Sequence, residues 1–247
     1  MVANLLNKRS IEKAANILRD SKKIVVVTGA GISASAGIPT FRSSGGLWKS
    51  EDIARFGDPQ TWVEDPWSCW FAYEKLRSLV DEAKPTLAHK AIKKLSEIFS
   101  IDVVTTNVDS LHKRSGVDAI EIHGTLRKLR CMMCGEIDEL ERFQPVRYPA
   151  CKHCGNWRRH DVVLWGESIK RFDEYQDLLE TADCLMLVGL SGAVTQTNDM
   201  SRLFRKHGGK VIEINPSTFT PATFYTSTSI RTTADVALDG IVKRLAV

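Results

Sequence analysis

Five short, strand-like runs set the frame of this chain: the apolar Ile24 to Val27, then Ile101 to Thr105, Ala119 to Ile122, Cys184 to Val188 and Val211 to Ile214. Runs of four or five residues, rich in β-branched side chains, have the length and makeup of strands buried on both faces. Between most of them apolar residues recur at helical spacing, over Leu87 to Ile98, Phe172 to Ala182 and Asn198 to Lys206. Strands alternating with helices predict an α/β fold built on a doubly wound parallel sheet. A first helix is expected from Ser10, with Ile11, Ala14, Ala15, Ile17 and Leu18 on one face.

The chain is long enough, at 247 residues with 43% hydrophobic and 26% charged, to bury a large core. No apolar segment approaches the roughly 20 residues that span a bilayer, and Met1 to Ser10 lacks the apolar stretch of a secretory signal. A cytoplasmic location is expected, a nuclear one being compatible, with no membrane partner. The net charge of +4 is small and its basic residues are scattered, which gives no strong case for a nucleic-acid partner.

The first strand runs into Gly29-Ala30-Gly31, and Gly29-x-Gly31-x-x-Ala34 has the spacing of a dinucleotide-binding turn. Its backbone amides, with a helix expected to start near Ser33, suggest a phosphate cradle. The rest of the fingerprint is missing: Gly37 and Pro39 cut the helix short, and Glu51 and Asp52 do not end a strand. A redox dehydrogenase is therefore disfavoured. The long stretch from Pro39 to Pro66 contains Phe41, Arg42 and Gly-Ser-rich sequence suited to a loop that closes over a ligand.

Residues 127–160 break the alternation and carry Cys131-x-x-Cys134 and Cys151-x-x-Cys154. Two such pairs predict one structural zinc held by four thiolates, with no position left for water. The domain expectation is a main domain of residues 1–126 and 161–247 with a zinc module of residues 127–160. Because Arg127, Lys128, Arg130, Arg158 and Arg159 surround the cysteines, a zinc ribbon that binds nucleic acid is the alternative from a different class.

Polar residues follow two strands, in VVTTNVDSLH and EIHGTLRKL. A parallel sheet binds ligands outside the carboxyl ends of its strands, so Asn107, Asp109 and His123 are expected to meet the glycine turn there. Gly124 would give a substrate room beside His123. The other histidines, His89, His112, His153, His160 and His207, are read as structural.

With GAGISASAGIPTFR, TNVDSLH, IHGTL, the cysteine pairs, VVLWGE and INPS in order, the chain resembles the sirtuins, NAD-dependent protein deacylases. The resemblance implies a Rossmann-like domain, a small zinc module, and NAD and an acylated lysine peptide bound between them. NAD would be consumed: the acyl oxygen attacks the ribose carbon, nicotinamide leaves, and a histidine acts as base while the acyl group passes to the ribose. On this pattern His123 is the base and Asn107 orients the ribose. Asp109 holds the nicotinamide carboxamide, and Ala30, Phe41 and Arg42 line the site. Gly29, Gly31, Ser33 and Thr106 complete that end of the NAD site, while Gly189, Ser191 and Asn215 serve the far half. Val163, Trp165, Gly166 and Glu167 would pair with the peptide as an added strand.

The chain departs from the family's pattern at Thr106 (usually glutamine), Ser110 (usually glycine) and Trp165 (commonly phenylalanine), and GLSGAVTQTND lacks the usual threonine and proline. Tyr73 matches a tyrosine that desuccinylase-type sirtuins pair with an arginine three residues later. Here that position is Leu76, and the arginine falls at Arg77. Neutral acyl groups are therefore expected over succinyl. The alternative in similar chemistry is ADP-ribosyl transfer or NAD hydrolysis through the same expulsion of nicotinamide.

Overall fold

The computed structural model describes residues 2–38, 55–140, 150–192 and 197–245. Phe41, Arg42 and most of the Pro39 to Pro66 stretch lie outside these residues, as do residues 193–196. The main sheet has six parallel strands: β1 Ile24–Thr28, β2 Ile101–Thr105, β3 Ala119–Glu121, β7 Cys184–Val188, β8 Lys210–Ile214 and β9 Thr228–Ile230. Their order is β3-β2-β1-β7-β8-β9, so the chain reverses direction across the sheet between β1 and β7. This is the topological switch point at which doubly wound sheets bind ligands.

Alternate residues of each strand feed opposite cores. Ile24, Val26, Val103, Met186 and Ile212 pack with Ile11, Ala14 and Leu18 of helix α1 (Val2–Asp20) and with Leu238 and Ile241 near the carboxyl terminus. Val25, Val27, Val104, Leu185, Leu187 and Val211 face the other side, against Tyr175 and Phe204. Helix α1 runs through Ser10, which caps nothing. Serine's helix penalty of about half a kcal/mol is small beside the burial of the face that Ile11, Ala14 and Leu18 provide. Strand β9, Thr-Ser-Ile, has no apolar run and is a strand because it pairs with β8.

The helix expected near Ser33 is two short 3-10 turns, Ala30–Ile32 and Ala34–Ala36, stopped where Gly37 adopts a left-handed φ of 80°. The glycines before it serve packing. The N–H groups of Gly29 and Gly31 donate to the carbonyls of Val188 and Gly189, which leaves neither amide to cradle a phosphate. A Cβ on Gly31 would stand 2.6 Å from the Gly189 Cα, a distance that real Cβ contacts do not reach. Gly31→Ala is therefore expected to cost about 3 kcal/mol, the upper end for overpacking against backbone that cannot swing away, read as a lower urea midpoint at unchanged slope.

A second, antiparallel sheet is made of β4 (Gly124–Cys131), β5 (Ile137–Glu139) and β6 (Arg158–Val162), in the order β5-β4-β6. Its strands thus span Gly124 to Val162, slightly more than residues 127–160. Helices α2 (Pro59–Glu64) and α3 (Pro66–Glu82) join it through a third core in which Trp62, Cys69 and Val80 meet Leu126, Val162 and Leu164. Both helices start on an aspartate cap followed by proline: Asp58 accepts from the Gln60 N–H and Asp65 from the Ser68 N–H. Among the described residues no helix is long and apolar enough to cross a membrane.

Candidate active site and zinc centre

Polar residues from β1, β2 and β3 converge at the carboxyl end of the main sheet. Asn107 is 4% exposed, and its amide donates to the Gly29 carbonyl and to Ser33 Oγ, both at 3.2 Å. Ser33 Oγ in turn donates to Asp109 Oδ2 at 2.6 Å, and the Leu111 N–H donates to Asp109 Oδ1 at 2.9 Å. Both carboxylate oxygens of Asp109 are thereby fixed. Burial raises its pKa, against the bonds from Ser33 and Leu111. Thr106 spends its hydroxyl on the Thr28 carbonyl.

His123 sits half-buried just beyond β3, with Nδ1 3.1 Å from the Thr106 carbonyl oxygen. A carbonyl only accepts, so Nδ1 carries the proton and Nε2 keeps its lone pair. Burial pushes the imidazole pKa below its ordinary value, the Thr106 bond opposing, so the ring is neutral at pH 7. This is the tautomer and charge state of a general base. Gly124 is not room for a substrate: a Cβ there would lie 1.9 Å from the Asp161 carbonyl, so glycine is required by the pairing of β4 with β6.

The remaining expected site residues are distributed as follows. Ala30 lies in the first 3-10 turn, and Gly189, at φ 64°, closes the turn after β7. Asn215 binds the Leu190 carbonyl at 2.7 Å and the Ser217 N–H at 3.0 Å, bracing the turn that carries exposed Ser191. It borders a small pocket whose lining includes Leu187, Leu190, Glu213 and Thr220. In the turn from Val163 to Glu167, N–H groups are already engaged: Val163 to His123 O, Trp165 to Gly57 O and Leu164 to the Glu167 carboxylate. Gly166 takes the left-handed φ of 81° that this turn needs, and Trp165 is 47% exposed. Glu167 also accepts from Arg159, so its carboxylate braces the turn.

Arg77 is only 2% exposed. Its Nε donates to Glu74 Oε1 and its Nη2 to Glu74 Oε2, both at 2.8 Å, with Asp81 3.7 Å away. Glu74 also binds His160, which is fully buried and stacked on Trp70 and Tyr73. Tyr73 and Leu76 pack on the third core. The guanidinium is thus committed within the chain. Sequence reasoning missed this network because Glu74 and Arg77 read as an ordinary helical pair; what buries them is contact with β6.

His89 and His112 are structural, as expected, at 0% and 2% exposure, and burial drives their pKa values down to about 4 and about 3. His112 binds Thr28 Oγ1 at 2.8 Å beneath the site.

The four cysteines come together at the end of the second sheet. None is in a disulfide, and their sulfurs all lie within 4.8 Å of one another. The separations of Cys131 from Cys154, Cys134 from Cys151 and Cys154 from Cys134 are 3.5, 3.7 and 3.6 Å. A tetrahedral zinc with bonds of about 2.3 Å has sulfur edges of about 3.8 Å, so this set fits the ion. Each Cys-x-x-Cys is followed by a left-handed glycine, Gly135 and Gly155, both at φ 74°, and N–H groups of Met133, Cys134 and His153 point at sulfur. The five cations around it are paired: Arg127 with Asp81, Lys128 with Glu139, Arg130 with Asp161, Arg158 with Asp138 and Arg159 with Glu167.

Known proteins are similar to this chain in sequence and in fold. The chain is 34% identical over 241 residues to NAD-dependent protein deacylase 1 of Archaeoglobus fulgidus, covering 95% of this chain and 97% of that one. It matches a solved Sir2 homolog–NAD complex with a TM-score of 0.89 at 34% identity, over 95% and 93% of the two chains. A second solved structure, Sir2 with a p53 peptide and NAD+, matches with a TM-score of 0.82 at 27% identity, over 94% and 96%. The sequence profile of the Sir2 family spans residues 29–196, from the glycine turn through the histidine and all four cysteines. A polar cluster at the switch point, a histidine whose Nδ1 is tied to the backbone, and a cage of four cysteines thus occur together in a chain that belongs to the Sir2 family.

Proposed function

We propose that this chain is an NAD-dependent protein-lysine deacylase, with NAD as a consumed co-substrate and zinc in a structural role. The observation that carries this is His123: Nδ1 is tied to the Thr106 carbonyl, and Nε2 is a neutral base beside the Asn107–Ser33–Asp109 cluster. NAD, when bound, supplies a ribose activated by its bond to nicotinamide, which accepts the acyl group. His123 Nε2 takes a proton from a hydroxyl of that ribose. Asn107 and Asp109 hold their partners without reorganising, because Ser33, Gly29 and Leu111 already fix them. The zinc cage touches none of these atoms and holds β4, which begins at the residue after His123.

Nicotinamide release from NAD, with and without a panel of acylated peptides, tests the proposal. Peptide-dependent release with acyl-ADP-ribose in the mass spectrum is the expected result. Free ADP-ribose or an ADP-ribosylated protein would point instead to hydrolysis or transfer. A zinc ribbon binding nucleic acid has little support, since its nearby cations are already paired with carboxylates.

The substrate acyl group is neutral. An acidic acyl group needs a cation of its own, and Arg77 is held bidentate by Glu74. Withdrawing it would break two charge-assisted bonds and leave Glu74 to His160, at a cost of about 2–3 kcal/mol. In a competition between acetyl and succinyl forms of one peptide, acetyl should be removed by far the faster. A succinyl preference lost in Arg77→Met would show that the guanidinium reaches the acyl group after all.

A further inference from the structure

Ser110 occupies a left-handed backbone conformation, φ 53° and ψ 22°, between Asp109 and the short helix Leu111–Arg114. Glycine takes that conformation freely, whereas a residue with a Cβ is strained in it. What serine adds is a hydroxyl, which is doubly bonded in a residue that is 6% exposed. It donates to Glu121 Oε1 at 2.7 Å and lies 2.8 Å from Thr125 Oγ1. With its single proton on Glu121, it must accept from Thr125, whose oxygen accepts the Arg127 N–H.

Glu121 and Thr125 are the residues two before and two after His123. Other bonds between the two segments are the Ile122 N–H to the Thr105 carbonyl, the Leu126 N–H to the Val108 carbonyl, and His123 Nδ1 to Thr106. Ser110 supplies a side-chain bond on each flank of the imidazole, from the turn that carries Asn107 and Asp109. We propose that Ser110 is a positioning residue, its hydroxyl setting where His123 stands relative to Asn107 and Asp109. The proposal rests on the deacylase assignment for its kinetic consequence, although the hydrogen bonds themselves do not.

Ser110→Gly removes the hydroxyl and suits the backbone, so the variant folds and its unfolding midpoint should stay level or rise. With an acylated peptide, kcat should fall about 10-fold while KM for NAD stays close to that of the parent, as for a misplaced base rather than lost binding. An unchanged kcat, or a loss confined to KM, overturns the proposal. The pH profile supplies a second reading. Asp109, Lys113 and Lys128 act on Glu121, and the Ser110 bond holds the Glu121 pKa down against burial. As water reaches the loosened segment His123 is less desolvated, so the acidic limb of kcat that this imidazole sets should move to higher pH.

A parent that releases no nicotinamide would sink the deacylase assignment alone. Titration of the His123 ring by NMR still decides the role of Ser110. In the parent the ring titrates below an ordinary histidine, and in Ser110→Gly its midpoint should move up as water reaches the loosened segment. Superimposable titrations would overturn the positioning role.

Discussion

His123→Ala is expected to lower formation of deacylated peptide by about 100-fold or more, the usual consequence of removing a general base. Among the described residues the side chain makes one hydrogen bond, to the Thr106 carbonyl, from a half-buried position, so stability should change by only about 1 kcal/mol. NAD binding, measured by calorimetry, should survive, because Asn107, Ser33 and Asp109 bond to one another and to the backbone without the imidazole. In the parent, activity depends on neutral His123, so it falls as pH drops through the histidine's midpoint. Since burial lowers that midpoint, the acidic limb should lie below the ordinary histidine value near 6.5 and vanish in the variant. Near-parental turnover by His123→Ala would remove this residue from the mechanism.

Loss of the metal should be as severe, by another route. Cys131→Ala leaves three sulfurs where the structure gathers four. Structural zinc sites contribute on the order of 10 kcal/mol to folding, more than a small three-stranded sheet recovers by packing. Cys131 is the last residue of β4 and Gly124 the first, so the cage stands roughly 20 Å from the histidine segment at about 3.3 Å per residue. The connection is mechanical: β4 carries Thr125, a partner of Ser110, and Leu126, in the core shared with α2 and α3. The variant should bind less than one zinc per chain, lose most deacylation and lose resistance to protease in the small sheet. A chelator should reproduce the effect in the parent. Full activity in metal-free protein would contradict the structural role.

Much of this was legible in the residues themselves. Strands buried on both faces are mainly apolar, so β1 and β7 announce themselves and β2 and β8 do so through their apolar residues, whereas β9 is a strand only because β8 offers it partners. Cysteine pairs are legible for a similar reason: the ligand chemistry is local, and each knuckle with its glycine is five residues long. The candidates Asn107, Asp109 and His123 followed from strand ends, where parallel sheets place their clefts.

Tertiary structure decided what those groups are bonded to. Nothing local tells that the Gly29 and Gly31 amides are spent on β7, that Gly124 is demanded by the Asp161 carbonyl, or that Arg77 is neutralised by Glu74 under β6. The tautomer of His123 depends on a carbonyl 17 residues away, and the hydroxyl of Ser110 on partners 11 and 15 residues on. Periodicity and spacing record which side chains leave water, because burial is repeated along an element. Hydrogen-bond partners are chosen once, by the meeting of segments distant in sequence, and so leave no pattern in the chain.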